Sequence, residues 1–253
     1  MTARADAGAV VPATEQDLDA IFGWLEREHR EDGEGFWDNR ARIREALGQG
    51  KLWVLRAGGE AVAFQAFEGE AGIVNVRKDM QRQGLGIALF EASLERAMAS
   101  GVNVLVGECA PASSLSFWER LGFTRYRDRG RRGAVLVYRV LRRRLDVPEE
   151  LPRVSVKVGF FPDLVLSDPS VAPIAEHVVS AGRWDDGGLT LDERVVGVTL
   201  GLPGEGDLVL KIEVDGLVRY FGKAKRDAAD FIGVQRDPRL TCYFIDELEL
   251  PEP

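Results

Sequence analysis

The stretch Val76-Arg77-Lys78-Asp79-Met80-Gln81-Arg82-Gln83-Gly84-Leu85-Gly86-Ile87-Ala88-Leu89 constrains this chain most. A short apolar strand ends there, two glycines turn the backbone, and a helix begins. The first four N–H groups of a helix have no partner inside it, and the helix dipole adds partial positive charge at that end. With no Cβ at Gly84 or Gly86, an anion can approach the main chain closely. The segment Gln81, Arg82, Gln83, Gly84, Leu85, Gly86 and Ile87 therefore reads as an anion cradle. By itself it is not diagnostic. A dinucleotide fingerprint needs a third glycine where Leu89 stands, and a nucleotide phosphate loop needs Gly-Lys-Ser/Thr. A plain glycine turn stays open as the alternative.

A second block follows the next strand: Pro111-Ala112-Ser113-Ser114-Leu115-Ser116-Phe117-Trp118-Glu119-Arg120-Leu121-Gly122-Phe123. Ser113 or Ser114 suits the cap of a short helix, and Gly122 suits the left-handed residue that ends it. Together the blocks resemble the GNAT N-acetyltransferase superfamily. Gln81-x-x-Gly84-x-Gly86 resembles its acetyl-CoA pyrophosphate loop. Phe117-Trp118-Glu119-Arg120-Leu121-Gly122-Phe123 resembles its second signature, usually Phe-Tyr-Glu-Lys-x-Gly-Phe. The resemblance spans about residues 10 to 145 and leaves the last hundred unassigned.

That resemblance implies acetyl-CoA as co-substrate, no metal, and direct acetyl transfer to an amine on a small molecule or a protein. It places the cofactor on Val74, Asn75, Val76, Gln81 to Ile87, Ser113 and Ser114. It also implies that the strand Ile73–Val76 splays from its neighbour and offers free backbone groups to the pantetheine arm and thioester carbonyl. Donors aimed at a developing oxyanion are often the largest catalytic contribution. Trp118 stands where the family often has a tyrosine that protonates the leaving sulfur. An indole N–H donates a hydrogen bond but does not release its proton near neutral pH. Losing a general acid typically costs about 10²–10⁴ in rate, although a thioester already leaves well and water or a hydroxyl can suffice. Packing is the alternative role for Trp118. Glu108 is the first candidate base, with surface charge as its alternative. Its neighbour Cys109 must point to the opposite face of the strand. Glu68 and Glu70 read as solvated turn residues, and the lone His29 and His177 as structural or solvated.

Acceptor contacts are expected from the first two helices and their connection, Glu31-Asp32-Gly33-Glu34-Gly35-Phe36-Trp37, whose acids and aromatics, with Asp38, suit a cationic amine or, equally, a solvated loop. The net charge of −8 is uneven: residues 1–150 carry −1 and residues 151–253 carry −7. An acidic balance argues against nonspecific nucleic-acid binding. Nine arginines between 125 and 144, against the single acid Asp128, keep acetylation of an aminoacyl-tRNA as a further alternative. A third function is a noncatalytic module that binds coenzyme A or an acyl-CoA. Cys109 and Cys242 lack metal-ligand spacing and read as reduced, buried thiols. The chain shows no signal peptide and no apolar run near the ~18 residues of a membrane span. A cytoplasmic protein without membrane contact is expected, and because the family often dimerises, a homodimer is admissible.

The order expected for residues 1–146 is helix, helix, three strands, helix, strand, helix, two strands. Their spans are 15–30, 39–47, 51–56, 61–67, 72–76, a helix bearing Ile87, Phe90, Leu94 and Met98 on one side, 102–109, 114–121, 123–127 and 134–141. This α/β (α+β) order matches the GNAT-like mixed sheet flanked by helices. Residues 147–153, with Pro148, read as a linker. Residues 154–253 read as a smaller strand-rich α+β domain of unknown role. Its expected elements are strands at 154–159, 164–166, 208–214, 217–221 and 240–245, and a helix from Asp168-Pro169 through Ser180.

Overall fold

The structure is a computed structural model, and it describes residues 8–33, 35–67, 72–109, 112–127, 135–200, 208–225 and 227–250. The chain divides into two compact units, residues 1–123 with 129–137, and residues 124–128 with 138–253. Among the described residues no helix is long and apolar enough to cross a membrane. The expected turn acids Glu68 and Glu70, Glu34 of the expected acceptor segment, Pro111, and the arginines 129, 131 and 132 lie outside the described residues.

In the first unit, α1 (Glu15–Asp32) and α2 (Arg40–Gly48) lie in sequence between the first and second strands of an antiparallel sheet in the order β1 (Val11–Pro12), β2 (Leu52–Ala57), β3 (Glu60–Ala66), β4 (Ile73–Val76). Side chains alternate across a strand, so the sheet builds a core on each face. Leu18, Ile21, Trp24 and Leu25 of α1 and Ile43 of α2 pack with Leu52, Val54, Phe64 and Ile73. On the other side Leu85 and Leu89 of α3 (Leu85–Ala99) pack with Leu55, Val62, Ala63, Val74 and Val76.

Thr14 caps α1 reciprocally. Its Oγ1 accepts the Asp17 N–H at 3.4 Å, while Asp17 Oδ2 accepts the Thr14 N–H at 2.8 Å. Asp17 also receives Arg56 in bidentate fashion, Nε at 2.7 Å and Nη2 at 2.6 Å. The Arg56 guanidinium holds this buried carboxyl at about 2, below its ordinary 3.8. A depressed folded-state pKa stabilises the protein above the unfolded value, and that contribution disappears as pH falls toward 2. We expect Asp17→Asn to cost about 2 kcal/mol at pH 7 and almost nothing near pH 2, measured by urea unfolding at both pH values.

The buried row of α3 is Leu85, Leu89, Ser93 and Ala97, joined by Phe90. This corrects the expected face, because Ile87 and Met98 are exposed. Ser93 is buried because its Oγ accepts a hydrogen bond from Gln65 Nε2 at 2.7 Å. A reading by apolarity turns such a residue outward. Beyond α3 come β5 (Val104–Cys109), α4 (Leu115–Arg120), β6 (Thr124–Arg127) and β7 (Val135–Val140). Within the first unit, a Cβ on Gly107 of β5 would sit 3.4 Å from Val137 of β7.

The second unit is built on a seven-stranded antiparallel sheet. Its order is β12 (Leu217–Lys223), β11 (Leu208–Val214), β8 (Arg153–Pro162), β9 (Ala175–Arg183), β10 (Leu189–Val198), β14 (Cys242–Leu248), β13 (Val234–Arg236). The β11–β12 turn at Asp215-Gly216 has φ of 49° and 83°, the two left-handed residues such a hairpin needs. Two expectations are overturned. Residues 163–166 form a 3-10 helix, and the helix expected from Asp168 through Ser180 is instead strand β9. Asp168 Oδ1 accepts the Ser170 N–H and hydroxyl in a local turn. Pro173 would lie inside the first turns of a helix, where it removes a hydrogen bond and clashes. From Ala175 onward the segment pairs along β8, Ala175 with Phe160 through Gly182 with Arg153.

Strand β10 was not anticipated. Its register breaks between Thr190 and Val195, and there the Arg142–Leu145 segment pairs with it. Leu145 N–H donates to Asp192 O at 2.9 Å, Arg194 N–H donates to Arg143 O at 2.8 Å, and Arg142 lies 3.9 Å from Glu193. Part of the arginine stripe thus runs along acids of its own unit. Cys242 is fully buried, and desolvation pushes its thiol up to about 12.

Candidate active site

β4 is the last strand of its sheet, and β5 belongs to a different sheet. Among the described residues β4 is therefore an edge strand, paired on one side by β3. Arg77 N–H donates to Val62 O at 2.9 Å. Bonded residues alternate along an antiparallel pair, so Ile73 and Asn75 turn their main-chain groups to β3 while Val74 and Val76 turn theirs away. Val76 is already served: its N–H donates to Asn75 Oδ1 at 2.9 Å, and its C=O accepts Gln81 Nε2 at 3.1 Å. Among the described residues, Val74 N–H and C=O are the outward pair on β4 without a protein partner.

At the C-terminal end of β4, Lys78–Met80 forms a 3-10 turn, and the chain then takes left-handed conformations at Arg82 (φ 61°) and Gly84 (φ 87°) on either side of Gln83. Alternating hand turns successive N–H groups toward one side, the geometry of a backbone anion nest. The first helical bond of α3 is Ala88 N–H to Gly84 O at 3.1 Å, so Leu85, Gly86 and Ile87 lack helical partners for their N–H groups. No side chain caps this end. Of the nearby cations, Arg77 pairs with Asp79 and Glu60, and Lys78 with Asp32. Arg82 is exposed and has no carboxylate partner among the described residues. The residues present thus fit a diphosphate: unpaired amides, a dipole and one available cation.

The two glycines have different reasons to be glycine. Gly84 is left-handed with open space where a Cβ would stand. At Gly86 a Cβ would sit 3.4 Å from Phe117 and 3.7 Å from Val76. The second sequence block therefore packs directly on the first through Phe117.

Trp118 packs edge-on to Phe90, Phe117 and Phe123, with centroids 6.3, 5.3 and 5.1 Å away. Its place is in an aromatic cluster. Gly122 (φ 79°) ends α4, as expected. Ser114 stands at the N-cap of α4 without a side-chain capping bond, which corrects the expected cap; its side chain bonds Cys109 instead. Ser113 is exposed in the preceding 3-10 turn. Burial pushes the Cys109 thiol upward, away from the thiolate. Glu108, on the opposite face of β5, is exposed.

Sequence reasoning missed Glu28. This buried α1 carboxylate accepts the Lys78 N–H at 2.8 Å, and burial pushes its pKa up. One turn later Asp32 takes Lys78 Nζ. The i, i+4 spacing of the two acids was the available signal. The arginines of α2, the second of the two helices expected to meet the acceptor, lie over aromatic rings. Arg40 lies over Trp37 at 4.2 Å, Arg42 over Phe67 at 5.1 Å and Arg44 over Phe22 at 5.2 Å.

Residues 48–125 match the family model described as acetyltransferase (GNAT) domain. Those residues, which include strands and a helix of the mixed α/β first unit, carry the pattern of a GNAT acetyltransferase domain. It is similar to the L-methionine sulfoximine/L-methionine sulfone acetyltransferases of Pseudomonas aeruginosa and Pseudomonas paraeruginosa. Each is 28% identical over 152 residues, which cover 55% of this chain and 73% of the relative. Among solved structures, N-acetylglutamate synthase from Neisseria gonorrhoeae, complexed with coenzyme A and N-acetyl-glutamate, is 17% identical with a TM-score of 0.42. The match covers 53% of this chain and 35% of that synthase.

Proposed function

We propose that the first unit binds acetyl-CoA and transfers its acetyl group directly to the amine of a small acceptor. The observation that carries this reading is a pair of places with outward main-chain groups, the amides before Ala88 at the start of α3 and Val74 on the outer side of β4, separated by the bonded Val76–Gln81 turn. The N–H groups of Arg82 to Ile87 hold the diphosphate, with Arg82 as counter-charge. Val74 N–H and C=O take the extended arm as an added strand would be taken. Acetyl-CoA supplies an activated acyl group. A C–N bond forms to the neutral amine, the C–S bond breaks, and the amine proton passes to the thiol through solvent.

Trp118 fixes α4 against α3 and supplies no proton. In this reading Glu108 accepts the amine proton, directly or through water. Cys109, buried and held as thiol, is unsuited to carry an acyl group, which favours direct transfer. The similarity to enzymes named for methionine sulfoximine and sulfone favours a small acceptor.

A second reading, a noncatalytic coenzyme A-binding module, draws on the packed Trp118 and the exposed Glu108. Calorimetric titration of coenzyme A, followed by thiol release from acetyl-CoA over an amine panel, separates the two. We expect micromolar binding and saturable release that falls about 10²-fold or more in Glu108→Gln. Binding without release favours the module. Absence of binding to the folded protein ends both readings.

A further inference from the structure

The arginines of α2 bear on which amines this site accepts. A cationic acceptor would need open aromatic faces, because a ring attracts a cation over its face. In the segment expected to receive it, a face of Trp37 is already covered. Arg40 lies over Trp37 and donates from Nη1 to Trp37 O at 2.7 Å. Arg44 lies over Phe22, and Phe22 meets Trp37 edge-on with centroids 6.4 Å apart. At Trp37 and Phe22 the chain's own guanidinium groups occupy positions that a cationic substrate would take.

Arg42 has a different neighbourhood. It lies over Phe67, the left-handed residue (φ 65°) that directly follows β3. Ala66 beside it pairs with Ile73, the first residue of β4. Phe67 and Ile73 share the core under α1 and α2. An arm anchored at residues 81–87 and extended back along the four residues of β4 covers about 13 Å, and its end arrives at the level of Ile73 and Phe67. Arg42 is exposed and makes no ion pair among the described residues. It therefore offers a charged fork at the reacting end of the arm, steadied by a ring beneath it.

Resting on the transferase reading above, we propose that the acceptor carries a carboxylate beside its amine, as an amino acid does, and that Arg42 receives that carboxylate. A guanidinium matches a carboxylate with two parallel N–H bonds, and stacking on Phe67 reduces the freedom lost on binding. The positive charge of Arg42, with Arg40 and Arg44 on the same helix, also disfavours polyamines and basic peptides.

The test compares thiol release from acetyl-CoA with the proteinogenic amino acids, their primary amides and spermidine, in the wild type, Arg42→Met and Arg42→Lys. We expect the best amino acid to exceed its amide at least about tenfold in kcat/KM, chiefly through KM. In Arg42→Met that ratio should fall to near one, with Arg42→Lys between, because a point charge lacks the fork. Calorimetric titration of the same amino acid into coenzyme A-loaded protein should show the same loss, while circular dichroism and coenzyme A affinity of Arg42→Met verify its fold. Amides or spermidine turned over as fast as acids would overturn the carboxylate assignment and leave the transferase reading standing. A ratio that persists in folded Arg42→Met removes Arg42 from the role. If no amine releases thiol, the transferase reading fails and this assignment fails with it.

Discussion

Gly84→Val is expected to abolish measurable coenzyme A binding while leaving the rest of the first unit folded. Gly84 sits at φ 87°, immediately before the first residue of α3. A left-handed backbone costs an ordinary L-residue about 1–2 kcal/mol, and more for a β-branched one. The chain relieves that cost by rotating out of the left-handed region, which re-aims the amides between Arg82 and Ile87. Charge-assisted hydrogen bonds contribute about 1.5–3 kcal/mol each, so misdirecting two lowers affinity by roughly 10²-fold or more. Calorimetry on the variant, with thermal unfolding as a control on folding, measures this. Gly86→Ala gives the contrasting result. Its Cβ would meet Phe117 at 3.4 Å, a contact the ring can yield to by a small shift. Affinity should then change severalfold at most. Equal losses in both variants would mean that the loop binds nothing through its backbone.

The second large effect is expected in the other unit. Gly233 has φ 92°, and a Cβ there would stand 2.3 Å from the Glu247 carbonyl oxygen and 3.1 Å from its carbon. Both atoms are backbone of β14, which is paired on each side by β10 and β13. No side-chain rotation can relieve the clash. Gly233→Ala therefore combines a left-handed penalty with a displaced strand, and we expect a loss of at least about 3 kcal/mol. Guanidinium unfolding followed by the fluorescence of Trp184, the one tryptophan in this unit, measures it. A loss under about 1 kcal/mol would mean that β13 and β14 are not held as described.

The first unit was legible because its signals are local. Thr14 and Asp17 announce the start of α1, Gly84 and Gly122 bend the chain where left-handed residues are needed, and the strand–glycine–helix order marks the candidate site. Errors arose where a distant partner decides a residue's environment. Ser93 is buried because Gln65 reaches it from β3. Ser114 leaves its cap for Cys109. Residues 175–180 follow a proline-bounded turn that resembles a helix start, and their state is set by twenty-residue-distant pairing with β8. Likewise β10 is interrupted at Asp192–Arg194, where the Arg142–Leu145 segment lies against it, and its alternating pattern breaks there. In the candidate site, the glycine loop could be read from spacing. For Glu28 spacing offers only the i, i+4 pair with Asp32; its target, an amide fifty residues away, is not legible in the sequence.

The protein's two cysteines are both buried, and desolvation raises both thiols, Cys242 to about 12. Maleimides and iodoacetamides react through the thiolate, so the native chain should stay largely unlabelled at neutral pH. A single cysteine introduced at exposed Ile87, in the first turn of α3, would then take a fluorophore selectively. Nothing else in the chain need be altered to place an optical reporter beside the anion loop.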